Sequence, residues 1–148
     1  MPKILFVCNN NRSRSPMAAA YFAKVGELAG IKELEVVSAG IWGRPEEMID
    51  PKAVKALNYE KLEPQRLGCT LLTLKVIRSS DLILGMSEEI TENVRNRFVS
   101  AKRKTKNLMS MVGLNTGVFD PHGGNLERYL QCLNMMKPAL DELAERLR

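Results

Sequence analysis

Lys3-Ile4-Leu5-Phe6-Val7 is a short apolar run that ends in Cys8, and Ser15-Pro16 opens a helical pattern soon after it. An unbroken apolar run, rather than an alternating one, belongs to a strand covered on both faces of a parallel sheet. Ser15 reads as an N-cap, and Pro16 suits the first helical position, where a missing N–H costs nothing. The chain therefore begins as strand, tight loop, helix. The loop reads Cys8-Asn9-Asn10-Asn11-Arg12-Ser13-Arg14. Feeding a helix N-terminus, it points several backbone N–H groups into one concavity, at the positive end of a helix dipole, which favours an anion. A thiol held over that concavity is favoured as thiolate, the nucleophilic form. Arg14 adds a planar fork of donors that can grip two oxygens of a tetrahedral dianion. The combination points to a phosphate monoester. Only three residues separate Cys8 from Arg12, too few to wrap a phosphate and return the side chain to it, so Arg14 is the anchor. The competing reading is a buried structural cysteine before an ordinary turn. Its place between a buried strand and Ser15-Pro16 favours chemistry.

The remainder alternates strands and helices. A helix runs from Pro16 to Gly30, and Leu34-Glu35-Val36-Val37 reads as a second strand ending at Ser38-Ala39-Gly40. The polar, proline-bearing stretch from Trp42 to Asp50 is loop, and Asp50-Pro51 opens a short helix to Leu57. Another helix is expected over Thr73 to Arg78, a third strand over Asp81 to Met86 and a helix over Ser87 to Phe98. Asn107 to Val112 reads as a fourth strand closed by Gly113. Leu126, Leu130, Leu133, Leu140, Leu143 and Leu147 mark a long amphipathic C-terminal helix. Alternation of this kind predicts an α/β fold, a doubly wound four-stranded parallel sheet with helices on both faces, Rossmann- or flavodoxin-like. Ligands of such sheets bind beyond the carboxyl ends of the strands, where Cys8 falls.

At 148 residues the chain is expected to be a single domain, residues 1–148, with 45% hydrophobic and 26% charged residues. No stretch approaches the apolar length of a membrane span, and the N-terminus enters a strand without a signal peptide. Cys8, Cys69 and Cys132 are widely spaced, against a disulfide framework or a zinc site. A cytoplasmic monomer with no membrane partner is expected. The net charge of +5 suits anionic ligands. The run Lys102-Arg103-Lys104, with Lys106, has no interleaved aromatics to stack bases, so it reads as a solvated loop and nucleic acid is not an expected partner.

Displacing phosphate from an alcohol or phenol requires a proton donor for the leaving oxygen. The candidate is Asp120 in Val118-Phe119-Asp120-Pro121-His122-Gly123-Gly124, held extended by the following proline, with glycines that let the loop approach another closely. His122, the only histidine, is the alternative.

These residues resemble the low-molecular-weight protein tyrosine phosphatases, a family that includes thioredoxin-linked arsenate reductases and bacterial arginine phosphatases. The resemblance runs through the Cys-x5-Arg-Ser-Pro-Met-Ala segment at 8–18, Val37 to Gly40 with Trp42-Gly43, Asp50-Pro51 before Ala53-Val54, Asp81 to Met86, and Asp120-Pro121. It implies that Cys8 is the nucleophile, forming a phosphocysteine, and that Arg14 binds phosphate and stabilises the transition state. Ser15 matches a hydroxyl that bonds the thiolate. Asn11 matches a bracing asparagine, in a left-handed conformation that asparagine tolerates, with Ser38 as a partner. Asp120 matches the general acid. Asn9, Asn10, Ser13 and Trp42 complete the implied phosphate and substrate contacts, with Arg12 beside them. No metal or cofactor is implied, and the partners are phosphorylated proteins or peptides and inorganic phosphate.

The chain departs from the family at several points. Asn10 stands where glycine is usual, and Ser13 where many members have a second cysteine that protects the nucleophile. His122 and Gly123 replace tyrosines that wall the pocket, and Leu67 is nearest to a position often held by histidine. Arg12 occupies a place where a small or branched residue helps set substrate choice. It faces either into the pocket or out to solvent, and repulsion from Arg14 favours outward. The expected activity is phosphotyrosine hydrolysis. The alternatives are phosphoarginine hydrolysis, arsenate reduction (relatives have a cysteine pair after the third strand, and 86–93 has none) and a phosphate-binding module without turnover.

Overall fold

The computed structural model describes residues 2–148. Four parallel strands form one sheet: β1 (Lys3–Cys8), β2 (Glu35–Gly40), β3 (Leu82–Gly85) and β4 (Thr105–Asn107), in the order β2-β1-β3-β4. The helices are α1 (Arg14–Leu28), α2 (Pro51–Tyr59), α3 (Leu74–Ser79), α4 (Glu88–Arg97) and α5 (Leu126–Leu147). Helices cover the sheet: α1 packs against α5, β1 and β2, while α4 packs against β3 and β4. Ile4 to Val7 are fully buried, as two-sided coverage of β1 requires. In α5 the core-facing side chains are Leu133, Leu140 and Leu143, joined by Tyr129, Cys132 and Met136. No helix of the described residues is long and apolar enough to cross a membrane.

The central place of β1 positions the chemistry. Its last residue, Cys8, pairs with Gly40 at the end of β2, so the loop after Cys8 lies against the chain after Gly40. A Cβ at Gly40 would stand 2.6 Å from backbone atoms of Asn10 and Asn11 and 2.8 Å from the Asn9 carbonyl oxygen. Backbone cannot yield as a flexible side chain can. Gly40→Ala is therefore expected to cost about 1–3 kcal/mol, the usual range for overpacking, and to loosen the loop. Urea melts beside inorganic phosphate titrations would measure both, and an unchanged midpoint with unchanged phosphate affinity would contradict this.

Three local expectations are corrected. The first helix starts at Arg14, with Ser13 at the cap making no side-chain cap bond, so Ser15 is not the N-cap but lies inside the first turn. Its hydroxyl turns towards Cys8 instead. The fourth strand is only Thr105–Asn107, and 108–112 is a 3-10 helix. There the Asn107 side chain accepts from the Met109 amide, drawing the backbone out of the ladder. That turn buries Leu108, Met109 and Met111 and ends at left-handed Gly113. Finally, Lys104 is not a solvated charge: its ammonium donates to the carbonyls of Ile77 and Ser80 at 2.7 and 2.6 Å, closing the end of α3.

Candidate active site

The loop between β1 and α1 is built around Asn11, which is buried and left-handed at φ 57°. Its amide nitrogen donates to Ser15 Oγ at 2.8 Å and to Ser38 Oγ at 2.9 Å, and its amide oxygen accepts from the Thr70 backbone at 2.8 Å. One short side chain thus ties the loop to α1, β2 and the segment before α3. The Cys8 sulfur accepts from the Asn11 backbone N–H at 3.3 Å and lies 3.0 Å from Ser15 Oγ. Ser15 Oγ accepts from Asn11 and has two acceptors within reach of its own proton, the Cys8 sulfur at 3.0 Å and the Ala39 carbonyl at 3.4 Å.

Arg14, 7% exposed, donates through Nη1 to the Val118 carbonyl at 3.1 Å. Its Nη2 stands 3.9 Å from Asp120 Oδ2. Arg14 is thereby tied to the loop carrying the carboxylate, 106 residues away in sequence. Asp120 Oδ1 accepts from the His122 amide at 3.1 Å, which orients the carboxylate.

These groups surround an open cavity of about 310 Å³. Cys8, Asn9, Asn10, Arg12, Ser13 and Arg14 form its base and near wall, and Asp120 and His122 its rim. Asn11 and Ser15 lie beneath as supports. Trp42 donates its backbone N–H to the Asn9 carbonyl at 2.7 Å, but its ring is 63% exposed outside the cavity, with the Arg97 guanidinium 5.4 Å from the ring centre. Arg12 is neither fully inward nor free in solvent: half-buried, it lines the cavity while its Nε donates to the Met48 carbonyl at 3.1 Å. Asp50 sits behind it, its amide donating to the Arg12 carbonyl at 2.8 Å.

Arg44 and Glu47, absent from the sequence reading, complete the rim. Their only signal was charge within the loop from Trp42 to Asp50. That loop is turned back to the site by the bridge between Met48 and Gly68. Cys69 and Cys132 are buried, free thiols. Burial raises the Cys69 pKa and pushes that of Cys132 up to about 12, so neither competes as a thiolate at neutral pH.

Residues 3–148 match the family described as low molecular weight phosphotyrosine protein phosphatase. The chain belongs to that family. This phosphatase is 34% identical over 146 residues to a protein-arginine-phosphatase of Bacillus subtilis, covering 98% of this chain and 96% of the relative. It is 28% identical over 145 residues to a probable low molecular weight protein-tyrosine-phosphatase, EpsP, of Ralstonia nicotianae, covering 98% and 95%. Its fold superposes on a crystal structure of a YwlE mutant from Bacillus subtilis with a TM-score of 0.94, 32% identity and 99% of both chains covered. The expected four-stranded α/β architecture of the low-molecular-weight phosphatases is thus the one observed.

Proposed function

We propose that this phosphatase removes phosphate from protein side chains through a phosphocysteine on Cys8, and that phosphotyrosine is its preferred substrate. The observation that carries the reading is the Cys8 sulfur, held by the Asn11 amide and Ser15 hydroxyl at the base of a cavity whose other polar groups include Arg14 and Asp120. In the first step Sγ attacks phosphorus, an S–P bond forms and the P–O bond to the side chain breaks. Arg14 and the loop N–H groups take the charge on the phosphoryl oxygens. Asp120, in its acid form, gives its proton to the departing oxygen. In the second step Asp120 takes a proton from water, whose oxygen attacks phosphorus. The S–P bond breaks, and inorganic phosphate leaves. Cys69 and Cys132, buried and unpaired with Cys8, do not suggest the thiol relay that arsenate reduction requires.

Phosphotyrosine is favoured because Arg12 and Arg44 add positive charge beside the path of the incoming side chain. A neutral phenol passes them more readily than a cationic phosphoguanidinium. The names of the Bacillus relatives support a second reading, phosphoarginine, for which Glu47 and Asp120 would be the counter-charges at the rim. Peptides of one sequence carrying phosphotyrosine, phosphoserine or phosphoarginine separate the two. We expect kcat/KM for phosphotyrosine to exceed the others by at least about tenfold, on the order of 1.4 kcal/mol. A tenfold preference for phosphoarginine would transfer the assignment to the second reading.

A further inference from the structure

The start of α2 forms a bracket between the two loops of the site. Asp50, 9% exposed, touches four separate elements. Its backbone N–H donates to the Arg12 carbonyl of the phosphate loop at 2.8 Å. Its Oδ1 accepts from the Lys52 amide at 2.9 Å, capping α2, and its Oδ2 accepts from the Tyr129 hydroxyl of α5 at 2.6 Å. The same Oδ2 stands 3.8 Å from His122 Nδ1, beyond a hydrogen bond. Lys52 extends the bracket, its ammonium donating to the Gly124 carbonyl at 2.6 Å. His122 and Gly124 both belong to the Asp120 loop, and the His122 amide is the group that orients Asp120.

We propose that Asp50 and Tyr129 are positioning residues for the Asp120 loop, with Tyr129 holding the Asp50 carboxylate away from His122. This rests on Asp120 acting as the general acid. Tyr129 is fully buried, and its hydroxyl has the shortest contact made by the Asp50 carboxylate. Without that donor, Oδ2 is left to the neighbouring His122 and Arg12 side chains, and both lie on loops of the site. A pull on His122 moves the amide that holds the Asp120 carboxylate, and misplacement by about 1 Å can cost up to about 10²-fold in rate. The electrostatics agree. Burial opposes ionisation of Asp50, but the hydrogen bonds from Tyr129 and Lys52, with Arg12 and His122 nearby, hold its carboxyl below the ordinary range. Burial, then the bond to Asp50, raises the Tyr129 pKa to about 12, so it stays a donor at neutral pH.

Tyr129→Phe tests this while keeping the ring in the core and the Asp50 cap on α2. Its kcat/KM, which reports the step that breaks the P–O bond, is measured with phenyl phosphate and p-nitrophenyl phosphate, beside Asp120→Asn. A displaced acid harms the poor leaving group most. We expect about a tenfold loss with phenyl phosphate and less than about threefold with p-nitrophenyl phosphate, with inhibition by inorganic phosphate within about twofold of wild type. In the Asp120→Asn background the same change should add no leaving-group dependence. Asp50→Asn, which keeps the cap acceptor but carries no charge to pull on His122, should relieve the differential loss when added to Tyr129→Phe, and Tyr129→Leu serves if Tyr129→Phe does not fold. A uniform loss, or none, in the Tyr129 single variants beside a differential loss in Asp120→Asn overturns the positioning role alone. Uniform loss in Asp120→Asn as well overturns the acid assignment, and the positioning role with it.

Discussion

Cys8→Ser protein is expected to melt like the wild type and bind inorganic phosphate, yet to turn over no measurable p-nitrophenyl phosphate. The concavity proposed to bind the anion is formed by backbone N–H groups and Arg14, which the substitution leaves in place, and Asn11 still ties the loop to Ser15, Ser38 and Thr70. The nucleophile is what disappears. A serine hydroxyl under the same donors is far less ionised than a thiol, so attack on phosphorus fails. Losses on the order of 10⁴–10⁶-fold accompany removal of a nucleophile from a working constellation. Cys69→Ser and Cys132→Ser should retain most activity, because both thiols are buried away from the cavity lining. Steady-state turnover and phosphate binding by calorimetry check the three variants together. Appreciable turnover by Cys8→Ser would remove the phosphocysteine from the mechanism.

Asp120→Asn should lose roughly 10²–10⁴-fold in kcat/KM on phosphotyrosine peptides and phenyl phosphate, the usual worth of a general acid. With p-nitrophenyl phosphate, whose phenolate leaves without help, the loss should be much smaller. The geometry suits this carboxylate to the proposed role. Asp120 is half-exposed at the cavity rim, with one oxygen held by the His122 amide and the other 3.9 Å from the buried Arg14 guanidinium. It faces Arg14 with an oxygen left to meet a substrate. His122, 69% exposed, donates to Asp120 through its backbone, so His122→Ala should keep the leaving-group dependence. Equal losses across leaving groups in Asp120→Asn would move the proton donor to His122 or to water.

The phosphate loop could be read from sequence because its determinants are local. The apolar run into Cys8, the loop length to Arg14, and Ser15-Pro16 all act within one strand–loop–helix unit. Asp50-Pro51 likewise announced the start of α2, and the C-terminal leucines announced α5, since periodicity of 3.6 reports a single helix face. Local signals misled where a side chain competed with the backbone. Asn107 turned an expected strand into a 3-10 turn, and Ser15, a good cap by type, gave its hydroxyl to Cys8. Lys104 looked like one of a run of solvated charges because the carbonyls it closes lie 24 and 27 residues earlier. The sequence alone determined the α/β class and set Cys8 and Arg14 on one strand–loop–helix unit, and family resemblance singled out Asp120. The register of β1 with β2, the return of the Met48 loop and the packing of α5 decided the rest. They brought Arg44 and Glu47 to the rim, left the Trp42 ring outside it, and set Tyr129 against Asp50 across 79 residues. Such pairings carry no local pattern, because a hydrogen bond between distant residues acts only after the sheet and its helices have brought them within 3 Å of each other.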